Sequence, residues 1–368
     1  MHINEIELKD FRNYKDIKIS FSKDMNIFIG ENAQGKTNLL EGIYFNSMAK
    51  SFKSYRDRDV IRFGEEFCRI RTSVNYEEDD HNIEIVINKE GKKAVKVDGV
   101  RIKKSSELLN GINIIIFSPE DLRIVKDEPS VRRNFIDREL CQIRPGYLNE
   151  INKYRRALQQ RNAYLKEEVV VEDVLSVWDE ELIASGSRVI RMRREFIKKL
   201  QKISGEIHSS ISGGREELKI EYETDIDSPG KEEELFRSIL IRERNKDRHY
   251  RVTGKGPHRD DIKIIAEGRE LKKFGSQGQQ RTAALALKLS EIRIVEEECG
   301  EKPVLLLDDV LSELDKERQR YLINNLGESQ MFITTTELID SVEKSLPEGK
   351  IFRIKRGEVE EEKTQNIV

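Results

Sequence analysis

Gly30-Glu31-Asn32-Ala33-Gln34-Gly35-Lys36-Thr37 follows the strand-like run MNIFI at 25 to 29 and precedes a helix predicted to start near Asn38. The octapeptide matches G-x-x-x-x-G-K-[ST], and a preceding strand with a following helix is the setting that the P-loop motif requires. Its physics is that of a phosphate cradle. Backbone N–H groups of a glycine-rich turn, at the positive end of a helix, surround the α- and β-phosphates of a nucleotide. Lys36 then reaches the β- and γ-phosphates, and the Thr37 hydroxyl binds Mg²⁺. A ligand-free glycine-rich turn is the alternative, and it leaves the flanking strand and helix as coincidence.

Two later stretches fit the same chemistry. Val304-Leu305-Leu306-Leu307-Asp308-Asp309 reads as a buried parallel strand ending in two carboxylates. In a P-loop protein Asp308 serves the Mg²⁺ hydration shell, and Asp309 orients or deprotonates the attacking water. For Asp309 the competing reading is a helix cap. Phe274-Gly275-Ser276-Gln277-Gly278-Gln279-Gln280-Arg281 opens an Ala- and Leu-rich helix. Ser276 with Gln279 three residues on makes a capping box. The same helix N-terminus can also face a γ-phosphate, with Ser276 and the Gly278 backbone as donors. The two readings are compatible.

GENAQGKT, SQGQQR and LLLDDVLSELD, in that order and with a helical insertion between the first two, resemble the ABC-type ATPase heads of the SMC class. LKDFRNY near the start, FSPEDL followed by RRNFID at 132 to 137, and GPHRDD at 256 to 261 are similar to the RecF family within that class. The resemblance runs from about residue 3 to residue 337. It implies an α/β fold: a two-lobed P-loop head with an inserted antiparallel helical arm domain. It also implies a homodimer that closes on two ATP molecules, with each signature segment completing the partner's site. Ser276, Gly278 and Gln279 then meet the partner's γ-phosphate. Ser312 and Asp315 lie in the dimer-contacting D-loop, and Arg12, in FRNY, lies near the phosphates. By the same resemblance the setting is recombinational repair and replication restart, with RecO and RecR as pathway partners and RecA loaded at gaps. Three departures from the wider ABC pattern stand out. Asp309 replaces a glutamate, Thr336 stands where a switch histidine is expected, and no glutamine follows the strand INIIIF at 112 to 117. Glu120 is the nearest Q-loop substitute and a candidate metal ligand. A plain acidic residue favouring the dipole in a helix's first turn is the competing reading.

Outward from these motifs, residues 1–120 read as the first part of the head. They alternate apolar and polar residues in the strand manner, with a β-meander signalled by KEGKK at 89 to 93 and Asp98-Gly99. Residues 121–250 read as the helical arm. Leu175, Trp178, Leu182, Val189, Met192, Phe196, Leu200, Ile203 and Ile207 recur at steps of three and four, with Ser185 in the vacant step. Leu148, Ile151, Tyr154, Leu158 and Leu165 do nearly the same, which predicts an antiparallel hairpin projecting as an arm. Residues 251–368 return to alternating strand and helix and complete the head.

Composition bounds the rest. Among the 368 residues 37% are charged, and no apolar run approaches the roughly 18 residues that span a bilayer. That excludes a membrane span. Three scattered cysteines, with charges where a signal peptide needs an apolar core, point to a reduced, cytoplasmic location. The 66 Lys and Arg nearly balance the 69 Asp and Glu, so contact with DNA, duplex or single-stranded at gaps or junctions, needs a local patch. Lys50, Lys53, Arg56 and Arg58, interleaved with Phe52 and Tyr55, form the preferred one. Arg188 to Lys202 forms a second, and solvated helix faces are the bland reading of both. His258, Arg259, Asp260 and Asp261 read as a satisfied turn and receive no chemical role. The resulting expectation is an ATPase, slow and DNA-stimulated, whose ATP-bound dimer closes on DNA and reopens on hydrolysis. The rival is a structural clamp gated by ATP binding, with hydrolysis incidental.

Overall fold

The computed structural model of the chain describes residues 1–54, 56–76, 79–103, 108, 111–336 and 349–362, so Tyr55 of the basic segment lies outside them. The chain divides into two units, residues 1–121 with 291–368, and residues 122–290.

In the first unit β1 (His2–Phe11) turns its alternate apolar side chains Ile6 and Leu8, with Ile3 and Phe11, into the core. It is followed by β2 (Tyr14–Ser20), the wholly buried β3 (Met25–Ile29) and α1 (Lys36–Met48). Then come β4 (Phe67–Tyr76), β5 (Asp79–Asn88), β6 (Lys93–Val97), β7 (Val100–Arg101) and β8 (Ile114–Phe117). Antiparallel pairing in the order β2-β1-β4-β5-β6-β7 gives the expected meander. Asp98 and Gly99, at φ 50° and 79°, make its β6–β7 turn, the left-handed pair that a two-residue hairpin demands. After β8 the Ser118 N–H donates to the Asp121 carboxylate at 2.7 Å, and a 3-10 turn, Pro119–Leu122, follows.

The second unit contains α2 (Arg123–Lys126), α3 (Pro129–Ile143), α4 (Pro145–Tyr164), α5 (Glu172–Ser212), β9 (Leu218–Glu223) and α6 (Glu232–Tyr250). It ends with β10 (Asp261–Ala266), β11 (Arg269–Glu270), α7 (Leu271–Phe274) and the first part of α8 (Gln277–Cys299). The hairpin read from the spacing is present. α5 runs unbroken for 41 residues with Leu175, Leu182, Val189, Phe196, Leu200, Ile203 and Ile207 buried, and spans roughly 60 Å. Arg161 meets Asp179 and Tyr147 meets Arg193, so α4 lies antiparallel along it. Where the sequence places the return to the head at residue 251, residues 251–290 stay with this unit. The reason is pairing: β10 runs antiparallel to β9 and β11 in a separate three-stranded sheet.

Two buried ion networks hold this unit. Arg161 binds Asp179, Asp247 and the Thr253 hydroxyl at 2.6–2.8 Å. Arg193 binds Asp137, the Tyr147 hydroxyl and the Pro257 carbonyl. Arg132 adds a bidentate pair to Asp261 at 2.7 and 2.8 Å. RRNFID and GPHRDD therefore join to each other structurally, and the His258 turn is satisfied as read. His258 Nδ1 lies 2.6 Å from the Tyr154 hydroxyl and Nε2 lies 2.9 Å from Thr253 O.

The chain re-enters the first unit within α8 and adds β12 (Val304–Asp308), α9 (Val310–Glu313), α10 (Lys316–Asn325), β13 (Met331–Thr335), β14 (Gly349–Lys355) and β15 (Glu358–Glu362). The second sheet has the order β15-β14-β3-β13-β12-β8, parallel except for β15. Both of its central faces are apolar, as a parallel sheet requires, and Phe21, Phe28, Phe332 and Phe352 cluster against one another. Among the described residues no helix is long and apolar enough to cross a membrane.

Candidate functional site

The crossover from β3 to α1 is the glycine-rich loop, and its backbone needs its glycines. Gly35 sits at φ 120° and Ala33 at φ 65°. A Cβ on Gly35 would come within 2.5 Å of the Asn13 amide, and one on Gly30 would collide with the Ile354 carbonyl oxygen. The loop is clasped from outside. Asn13 Nδ2 donates to Gln34 O at 2.9 Å, and the Tyr14 hydroxyl donates to Gly35 O at 2.9 Å. Gln34 Oε1 accepts from Arg356 N–H at 2.7 Å, so its side chain braces the loop. Glu31 and Asn32 are exposed on the loop's rim. Lys36 is buried, with Nζ donating to the carbonyls of Gly30 and, at 3.2 Å, Glu31. Burial lowers its pKa, against the attraction of Asp309 and Asp308.

Two motifs far apart in sequence meet here. Thr37 Oγ1 donates to Asp308 Oδ1 at 2.9 Å, and Thr334 Oγ1 donates to the same oxygen at 2.8 Å. Burial pushes the Asp308 carboxyl above its ordinary value despite both hydroxyls. Asp308 and Lys36 are thus shifted toward neutrality by the same desolvation, which a bound cation and a polyphosphate would each reverse. A hydroxyl beside a carboxylate gives hard oxygen donors of the kind that suits Mg²⁺, which takes few protein ligands and keeps several waters. Asp309 follows with a left-handed backbone, φ 53°, and its carboxylate makes no cap to α9. Its N–H donates to Thr334 Oγ1 at 2.9 Å. Ser312 donates to the Asp309 carbonyl at 2.7 Å, and the exposed Asp315 caps α10, accepting from Arg318 N–H at 3.1 Å.

Arg12 is held by two charge-assisted bonds to the fully buried Glu41 of α1, at 2.8 and 2.7 Å, and donates to Asp59 O at 2.6 Å. Glu120 is exposed on the 3-10 turn after β8, the edge strand of the sheet. Thr336, at the end of β13, is exposed. In the second unit Ser276 and Gln279 form the reciprocal capping box read from the sequence, at 3.0 and 3.2 Å, and Gly278 is exposed in the first turn of α8.

Lys50, Lys53, Arg56 and Arg58 are all exposed in the segment after α1. The second basic stretch is a different matter. Arg193 is buried in its network, Arg188 pairs with Glu150, and Arg191 and Arg194 pair with Glu232. Much of that run is therefore spent on structure. The sequence contained the warning, because position 193 lies four after Val189 and three before Phe196, on the apolar stripe. Sequence reasoning did not find Thr334, Glu41, Asn13 or Tyr14.

The family described as RecF/RecN/SMC N terminal domain matches residues 2–355. DNA replication and repair protein RecF of Agathobacter rectalis is 46% identical over 363 residues, covering 98% of this chain and 99% of that protein. The RecF of Lachnospira eligens is 44% identical over 364 residues, with coverage of 98% and 99%. Among solved structures, the recombination mediator protein RecF with ATP, of the RecFOR pathway, superposes with a TM-score of 0.91 at 38% identity over 98% of each chain. An Smc head bound to the C-winged helix domain of ScpA, 18% identical over 99% of this chain and 98% of its own, shares the fold at a TM-score of 0.56. With a P-loop joined to a strand-end aspartate and a match along almost its whole length, the chain belongs to the RecF family of DNA replication and repair proteins, with the α/β head fold of the SMC class.

Proposed function

We propose that the chain is a DNA-binding ATPase of recombinational repair, in which ATP closes a homodimer on DNA and slow, DNA-stimulated hydrolysis reopens it. The observation that carries this reading is the 2.9 Å bond between Thr37 and Asp308, which brings the P-loop and the strand-end aspartate together across 271 positions of sequence. Thr37 and Asp308 would hold Mg²⁺, which would supply charge neutralisation to the phosphates. The loop's N–H groups cradle the α- and β-phosphates and Lys36 reaches the β- and γ-phosphates, while Asp309 takes the proton from the attacking water. Arg12, anchored by Glu41, lends positive charge beside them. Ser276, Gly278 and Gln279 reach the partner copy's γ-phosphate, and Ser312 and Asp315 line the dimer contact. Glu120 stands in for the Q-loop residue. Lys50, Lys53, Arg56 and Arg58 contact DNA phosphates, a role favoured by their exposure and by the structural engagement of the second basic run. In cells this places the chain at gaps in duplex DNA, with RecO and RecR as partners and RecA loading as the outcome.

Steady-state ATP hydrolysis over a range of protein concentration, alone and with single-stranded or duplex DNA, tests the proposal. The expected result is a DNA-stimulated rate that climbs faster than linearly with protein and falls by about 100-fold or more in Asp309→Asn, in line with loss of a catalytic base. A rate linear in protein and indifferent to DNA would overturn it. If Lys36→Arg binds but cannot hydrolyse ATP and still supports repair in cells, the clamp reading replaces it.

A further inference from the structure

The capping box at the start of α8 uses only one end of the Gln279 amide. Gln279 Oε1 accepts from the Ser276 N–H, while Gln279 Nε2 donates to Glu216 Oε1 at 2.9 Å. A carboxylate only accepts and a backbone N–H only donates, so these two partners fix the amide in one orientation. The Ser276 hydroxyl oxygen accepts from the Gln279 N–H, which leaves its hydrogen to donate outward.

Glu216 is itself well placed. It follows Gly213 and Gly214, whose φ of 64° and 74° turn the chain out of α5. Its second oxygen lies 3.7 Å from Nε2 of His208, near the end of that helix. The His208 ring has no exposed surface, and burial lowers its pKa against the pull of Glu216. The next residue, Glu217, donates its N–H to Glu267 Oε1 at 2.9 Å, which ties the loop to the β10–β11 turn. A half-buried carboxylate is thus held between the end of α5, a β-turn and the first turn of α8.

We propose that Glu216 is a positioning residue for the signature segment: by holding the Gln279 amide it sets the direction in which Ser276 and the α8 N-terminus are presented to the partner copy's nucleotide. This rests on the reading that Ser276 to Gln279 complete the site in trans. Glu216 touches no nucleotide, and it acts only through Gln279. It also puts the signature one hydrogen bond from the loop that ends α5.

Full-length Glu216→Ala, Glu216→Gln and Ser276→Arg are compared with the parent chain by ATP titration at low protein and by DNA-stimulated hydrolysis against protein concentration. Glu216→Ala is expected to leave ATP affinity within about twofold, since the P-loop is intact. It should raise the protein concentration giving half-maximal specific activity by about tenfold, the scale of one lost hydrogen bond to a charged group. Glu216→Gln keeps an acceptor for Gln279 Nε2 and is expected to stay within about twofold of the parent. The proposal is overturned if Glu216→Ala superimposes on the parent, or if Glu216→Gln is as impaired as Glu216→Ala. Ser276→Arg separates the two levels. If it abolishes hydrolysis while Glu216→Ala changes nothing, only the positioning role falls. If Ser276→Arg hydrolyses ATP like the parent, the reading in trans falls and takes the positioning role with it.

Discussion

A single hydroxyl, that of Thr334, ties down both aspartates of the site, donating to the Asp308 carboxylate and accepting from the Asp309 backbone N–H. His258 offers a comparable economy in the second unit, with a measurable consequence. Burial first, and then the charges of Arg259, Arg133 and Arg161, lower its pKa from 6.5 to about 4. The neutral ring accepts from Tyr154 at Nδ1 and donates to Thr253 O from Nε2. Between those two pH values the unfolded chain binds a proton that the folded chain refuses. Stability contributed by the neutral ring is therefore complete above pH 6.5 and is lost as the pH falls toward 4, by up to about 3 kcal/mol. Thermal melts across that range should show a shallower pH dependence in His258→Gln, by up to one proton, and coincident slopes would refute the assignment. What the sequence disclosed at this scale follows from distance along the chain. Lys36 and Thr37 were legible because the motif fixes its own backbone. Glu41, Thr334 and Glu216 were not, because their partners lie 29, 26 and 63 residues away and no local pattern demands them.

Periodicity was a sound guide to elements and a poor one to their partners. The three-and-four spacing marked the apolar stripe from Leu175 to Ile207, and the structure carries it on one unbroken helix of 41 residues. The same spacing left out what crosses it. Gly186 sits where α5 passes under two rings: a Cβ there would come within 2.7 Å of Phe236 on α6 and 3.0 Å of Tyr154 on α4. Gly186→Ala gains about 1 kcal/mol of helix propensity but overpacks the crossing by about 1–3 kcal/mol. The expected outcome is a net lowering of the melting temperature, and a rise would show that the rings yield. Likewise DIKIIA at 261 to 266 is legible as a strand, while its neighbour is not. Alternation says that a strand has two faces. It does not say which edge will pair with it, and the choice of β9 moved residues 251–290 into the second unit.

Taken whole, the chain is one unit written into the middle of another. Residues 122–290 are contiguous and contain both buried arginine networks with all their partners. A fragment spanning 122–290 is expected to unfold in a single cooperative transition, seen by calorimetry or circular dichroism. A fragment without such a transition would show that the networks need the other unit. The first unit is discontinuous in sequence: β3 is hydrogen-bonded on one side to β13 and on the other to β14, both of which follow the insertion. During synthesis, then, the strand that leads into the phosphate loop leaves the ribosome with neither neighbour made. Translation at about 5–20 residues per second keeps that apolar edge waiting for tens of seconds, while the inserted unit has time to fold. The ribosome must pass residue 355 before β3 has both of its neighbours, so stalled or prematurely terminated products carry the glycine-rich motif without the sheet that supports it.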